Sequence, residues 1–226
     1  MRQNLFSVGP DTARCLKLFL YWPVYGLLFY LAEDVFRPTR YHIMYCRLDD
    51  LIPFCEGFVL PYLFWFVYLI GIHVYTFLYE KEAFQKLMKF IIVSYSVALL
   101  IFFLYPNCQL LRPAVFPRDN ALTDLVALFY RMDTNTNVCP SLHVVGSLAV
   151  WYTARETRLF QHRGWRLFFH LATPLVCVST VFLKQHSVLD LVAGVLVSWA
   201  AWTMVGIKVD HKAPRRAYCV RKKMSY

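Results

Sequence analysis

The sequence predicts an all-α, polytopic membrane protein: a six-transmembrane-helix bundle with both termini cytoplasmic. Three observations predict it. The 226 residues are 58% hydrophobic and 18% aromatic, above the apolar share of about 45–50% usual in soluble domains. The apolar residues gather into runs suited to crossing a bilayer. Placing both termini inside puts 17 of the 24 Lys and Arg residues on the cytoplasmic side, as the positive-inside rule requires.

The runs are approximately Cys15–Ala32, Gly57–Tyr79, Phe90–Tyr105, Pro140–Ala154, Arg166–Leu183 and Ser187–Ile207. The second carries no formal charge. The fourth is the shortest, and its end is the least defined boundary. Pro23, Pro61 and Pro174 lie inside runs, which membrane helices tolerate where neighbours satisfy the freed carbonyls. No cleavable signal is evident, because the first 14 residues are polar and mixed. The length suits a single domain over 1–226, with a catalytic core at about 90–207 and a basic cytoplasmic tail at 208–226.

The formal charge of +10 is explained by topology. Its basic residues sit in short stretches between apolar runs, so no nucleic-acid partner is expected. The expected partner is the bilayer, with the tail touching anionic lipid. Seven cysteines show no C-x-x-C spacing, so neither a metal nor another cofactor is expected. Cys46, Cys55, Cys108 and Cys139 fall on the outer face, where pairing as Cys46–Cys55 or Cys108–Cys139 competes with plain reduced thiols. Tyr62, Trp65, Tyr105, Trp165 and Trp202 are expected in interfacial belts. Between Asn120 and Met132, the spacing of Leu122, Leu125, Val126 and Phe129 predicts an amphipathic helix.

Two histidines carry the chemistry. His143 ends Cys139-Pro140-Ser141-Leu142-His143, and His186 opens His186-Ser187-Val188-Leu189-Asp190. Pro140 suits the first position of a helix. The N–H groups after it would bind an anion, with Ser141 adding a hydroxyl. Asp190 lies one helical turn beyond His186 on the same face. Its carboxylate can hold Nδ1–H and leave Nε2 free as a nucleophile. His143 would then serve as acid and base. The bland alternatives are an ordinary helix start and a His–Asp bond that ties helices together. Arg112, before Pro113, is a candidate phosphate ligand, and Lys184 could add charge. Arg118 and Arg131 read as solvated loop residues, and His42, His73 and His170 as structural.

At these residues the chain resembles the type-2 phosphatidic acid phosphatase superfamily of six-helix membrane enzymes. Its closest likeness is the branch containing inositol phosphorylceramide synthases. The strings are Cys139-Pro140-Ser141-Leu142-His143, Ser179 through His186, and Asp190-Leu191-Val192-Ala193-Gly194, in order and spacing over about 90–207. The resemblance implies a phosphohistidine on His186, with His143 as acid/base, Asp190 as orienting carboxylate, and Arg112 and Ser141 holding phosphate. The substrate it implies is a membrane phospholipid or lipid phosphate, turned over at the outer face of a cell membrane.

Three departures stand out. The generic pattern has lysine where Tyr105 stands, glycine where Leu142 stands and arginine where Thr180 stands. The likeness to lipid phosphotransferases accounts for all three. Water or an alcohol as acceptor stays open at this level. So does a non-catalytic carrier or scaffold, although a carrier should spread polar residues through the bilayer depth, and here they gather at one rim.

Overall fold

Pro23 sets the first break in the chain. Its ring lacks an N–H and clashes with the carbonyl four residues back, which belongs to Phe19, where α1 (Pro10–Phe19) ends. The helix resumes as α2 (Tyr21–Tyr30) and closes in a π-turn at Leu31–Val35. The computed structural model describes residues 10–36 and 38–206; the basic tail expected at 208–226 lies outside the described residues.

A one-turn helix, α3 (Leu48–Leu51), sits in the loop that follows α2. It is followed by α4 (Val59–Tyr79), α5 (Lys81–Leu104), α6 (Ala121–Met132), α7 (Leu142–Glu156), α8 (Arg163–Phe182) and α9 (Val188–Val205). Among the described residues, five helical stretches are long and apolar enough to span a membrane: Pro10–Val35, Glu56–Tyr79, Lys81–Leu104, Arg163–Phe182 and Val188–Val205. Their outward faces are apolar. Leu167, Leu171, Leu175 and Val178 form an exposed stripe on α8, and Val67, Ile70, Val74 and Leu78 form one on α4. An apolar stripe turned outward at helical spacing is the pattern for hydrocarbon as solvent, the reverse of a water-soluble helix.

The fourth expected span is α7, and it differs from the others. Its 15 residues reach only about 22 Å at 1.5 Å per residue, short of the roughly 30 Å hydrocarbon thickness. It packs against α4, α5, α8 and α9 at once. Protein rather than lipid surrounds it, so its ends need not reach both interfaces. The third helix begins at Lys81, nine residues ahead of Phe90. Ala83, Phe84, Leu87 and Met88 are buried, and Phe84 and Met88 pack with Cys15 of α1. Lys86 and Lys89 turn outward. The start of α5 is amphipathic, which apolar content alone does not reveal.

α9 and the start of α7 approach each other closely at Gly194. A Cβ on Gly194 would lie 2.9 Å from Val144 Cβ and 3.1 Å from the Ser141 carbonyl oxygen. Gly194→Ala is therefore expected to cost about 1–3 kcal/mol through overpacking. Gly71→Ala, where nothing lies within 4 Å, should be neutral. Thermal unfolding of the two variants in detergent checks the contrast.

The loops before α4 and after α5 are stitched together at one end of the bundle. β1 (His42–Ile43) pairs in parallel with β2 (Asn107–Cys108). Buried Asn107 imitates a peptide group: its Oδ1 accepts from Cys139 N at 2.8 Å, and its Nδ2 donates to Cys139 O at 3.0 Å. The six cysteines among the described residues are all free thiols. Neither outer pairing forms, and burial pushes the Cys139 thiol up to about 12. The other end carries basic residues of α5, α7 and α8, with Lys86 paired to Glu156 at 2.7 Å.

Candidate active site

The start of α9 fixes His186. Ser187 caps the helix in a reciprocal box with Asp190, a Ser-x-x-Asp arrangement that satisfies orphan N–H groups from both sides. Asp190 Oδ2 accepts from Ser187 N at 2.8 Å and lies 3.3 Å from His186 Nδ1. One carboxylate oxygen thus holds both the helix end and the ring. Asp190 is fully buried, and the contact on Nδ1 leaves Nε2 as the nitrogen available to a substrate.

A second buried carboxylate, Asp49 of α3, completes this cap. Its Oδ2 accepts from Ser187 Oγ at 2.6 Å, and its Oδ1 accepts from Val188 N at 2.8 Å. Sequence reasoning missed Asp49 because 138 residues separate it from Ser187. Lys184 belongs to the same scaffold. Its Nζ donates to Asp49 O at 2.7 Å and also to Ile52 O. Burial lowers its ammonium from the ordinary range, against the pull of Asp49 and Asp50. The charge expected at the phosphate is directed into the loop that carries α3.

His143 lies in the first turn of α7. The helix starts at Leu142 with Ser141 as its N-cap, so Pro140 sits just outside the helix rather than at its first position. Ser141 N donates to Asp190 O at 3.1 Å, tying the two motifs together. Ser141 Oγ is fully buried and has no partner. The His143 ring stacks on Tyr62 at 4.4 Å and leans on Trp65 at 4.4 Å. Both aromatics were expected in an interfacial belt. Instead Tyr62 is only 2% exposed, and the pair forms the wall that holds the histidine. His143 Nε2 is buried and unpartnered.

The two rings face each other edge to face, 5.8 Å apart. Both line a cavity of about 330 Å³, together with Leu142, Gln185, Asp133 and several aromatics. A helix of 15 residues ending at this cavity presents its first N–H groups there. Such N–H groups have no intrahelical partner and attract anions.

Arg112 does not offer the free guanidinium expected of a phosphate ligand. Nε and Nη2 donate to Gln185 Oε1 at 3.1 and 2.6 Å. Nη1 donates to the carbonyls of Tyr130 and Asp133, both at 3.1 Å, and Nη2 to that of Thr134 at 2.8 Å. These contacts engage all five donors of an arginine, and the group also lies over the Tyr130 ring at 4.6 Å. Arg112 staples the loop after α6 to the residue preceding His186. Arg118 forms a two-oxygen pair with Glu56.

The departures from the generic pattern now have positions. Tyr105 stacks on His42 at 3.9 Å and is not among the cavity lining. Thr180 is fully buried, and its carbonyl accepts from Gln185 N and His186 N. Leu142 lines the cavity. Asp133 is the residue that sequence reasoning overlooked, since a lone carboxylate in a polar loop carries no motif. It lines the cavity and is exposed. Desolvation raises it above the usual carboxylate range, with His186 and Arg112 acting against that shift.

Comparison with known families places this geometry. Residues 58–204 match the family model described as PAP2 superfamily, a stretch that includes both histidines, Asp190 and the cavity walls on α4 and α6. No curated protein and no solved structure matches the chain significantly. Membership in that superfamily supports a phosphatase or phosphotransferase activity in general, on a lipid in the bilayer. With more than half its length matched, the chain belongs to the PAP2 superfamily.

Proposed function

We propose that this protein is an integral membrane enzyme that cleaves a lipid phosphoester through a phosphohistidine on His186. The observation carrying the reading is the pairing of His143 and His186, 5.8 Å apart in one cavity, with Asp190 on the far nitrogen of His186. Nε2 of His186 attacks phosphorus, and the P–O bond to the leaving alcohol breaks. His143, protonated, gives its proton to that oxygen. In the second half, His143 takes the proton of the acceptor O–H, the acceptor oxygen bonds to phosphorus, and the P–N bond breaks. The imidazolium character that His186 gains is stabilised by Asp190. N–H groups at the start of α7 receive the phosphoryl oxygens.

Head-group transfer is the favoured form of this reaction, akin to the inositol phosphorylceramide synthase-like branch. The supporting observation is electrostatic. Among the described residues no lysine or arginine lines the cavity, and Arg112 and Lys184 are already engaged. A phosphodiester monoanion suits such a site better than a phosphomonoester dianion. We assign six spans with both termini cytoplasmic, and hence a site on the extracytoplasmic face of the plasma membrane. The distribution of basic residues supports this orientation.

The test is purified protein in detergent with candidate phospholipids, following both free phosphate and new head-group lipids, beside His186→Ala. We expect the variant to lose at least about 10³-fold in turnover, since it removes the nucleophile. Activity that survives the substitution overturns the phosphohistidine. Phosphate as the sole product demotes transfer to hydrolysis. A wild-type protein that turns over no lipid favours a carrier or scaffold of the same fold.

A further inference from the structure

Asp133 and the phenylalanine rings of its cavity have no role in the reaction as written. Its carboxylate lines the cavity beside His143 and His186 and forms no ion pair among the described residues. Tyr62 OH is a long 3.5 Å away. Arg112, the nearest fixed cation that bears on it, spends its donors on carbonyls and Gln185, including the backbone oxygen of Asp133 rather than its carboxylate. Asp133 is exposed, so its carboxylate is accessible to a cation entering the cavity. The same cavity is lined by Phe29, Tyr62, Trp65, Phe66 and Phe129. Tyr62 and Trp65 each give a face to His143. The three phenylalanine rings have no titratable or hydrogen-bonding group of their own, and Phe66 remains 43% exposed.

Aromatic faces together with one carboxylate recognise an organic ammonium, through cation–π attraction and charge. The same surroundings repel a dianionic phosphate and give a neutral polyol only one strong acceptor. From this juxtaposition we infer that the cavity selects a zwitterionic phosphodiester lipid, its ammonium seated against Asp133 and the aromatic wall. The inference rests on the phosphohistidine reading for the orientation of the phosphate. The ammonium then lies on the Asp133 side and the phosphorus faces His186. The diacylglycerol oxygen is the leaving group, takes its proton from His143, and the ammonium head stays on the phosphorylated histidine until an alcohol or water receives it.

The experiment separates recognition from chemistry by measuring binding on the His186→Ala protein in detergent. The probes are phosphatidylcholine, phosphatidylethanolamine, phosphatidylinositol, phosphatidylglycerol and phosphatidate with identical short acyl chains. The two ammonium lipids should bind roughly tenfold more tightly than the other three, the size expected for a desolvated cation–π and charge contact. Asp133→Asn should bring that ratio close to one, and Phe129→Leu should reduce it without changing phosphatidylinositol binding. The wild-type cavity residues suffice for the ratio, so a poorly folded variant does not remove the test. Equal binding across the panel, a preference for phosphatidylinositol or phosphatidate, or no binding at all overturns the inference. So does an Asp133→Asn protein that loses all five lipids alike, since Asp133 would then be a counter-ion to the histidines. Turnover surviving in His186→Ala defeats the phosphohistidine while leaving the binding ratios standing.

Discussion

Asp190→Asn is expected to lower turnover by about 10³–10⁴-fold, the scale on which a misdirected imidazole tautomer acts. That is about 4–5 kcal/mol of transition-state stabilisation. An amide that turns its NH₂ to the position of Oδ2 no longer accepts from Ser187 N, so the fold should lose about 1–2 kcal/mol with the helix cap. The same atom, Oδ2, serves His186 and Ser187 in the native protein. An amide that keeps its oxygen for both would retain activity; one that turns its NH₂ toward Nδ1 forces the proton onto Nε2 and removes the nucleophile. Steady-state kinetics beside thermal unfolding reads both quantities. A large loss of stability with proportionate loss of activity would make Asp190 a structural residue alone.

Arg112→Ala is expected to destabilise the protein by about 2–4 kcal/mol, because several acceptors lose a charged donor at once. Gln185 Oε1 and the Tyr130 carbonyl are the partly buried ones. Arg112→Lys should recover less than half of this, since an ammonium is a compact donor that cannot span acceptors set around a planar fork. A direct phosphate ligand predicts the opposite pattern: lysine would preserve stability and raise KM. Thermal unfolding and KM for the two variants separate the roles. An unchanged melting temperature in Arg112→Ala overturns the staple. If the staple holds, the activity loss in both variants follows from displacement of Gln185 and, through it, His186.

These two residues mark the boundary of what was legible. The His186–Asp190 relation was readable because one helical turn fixes which residues share a face. The helix over 120–132 was readable for the same reason, and in the structure Asn120 caps α6. Arg112 and Lys184 were recognised as cations near the site, but their directions were not. A long side chain takes the acceptors that the fold brings within reach. For Arg112 these include Gln185, 73 residues away, and for Lys184 the carbonyl of Asp49, 135 residues away. Tyr62 and Trp65 were misplaced because interfacial aromatics and cavity-wall aromatics share one composition. The short α7 was expected as an ordinary span because run length does not tell whether lipid or protein will surround a helix.

By itself, the sequence determined the membrane character, the helical periods, the two histidines and the carboxylate that orients one of them. All of these follow from composition or from contacts within a turn or two of helix. Only the tertiary structure decided that α7 is enclosed by four other helices, that Asp49 caps α9, and that Arg112 and Lys184 are engaged in the scaffold. It also decided that Asp133 is left facing the cavity. The physical reason is range. Local geometry is written in neighbouring residues, whereas the partner of a buried charge is whichever group the packed chain sets beside it.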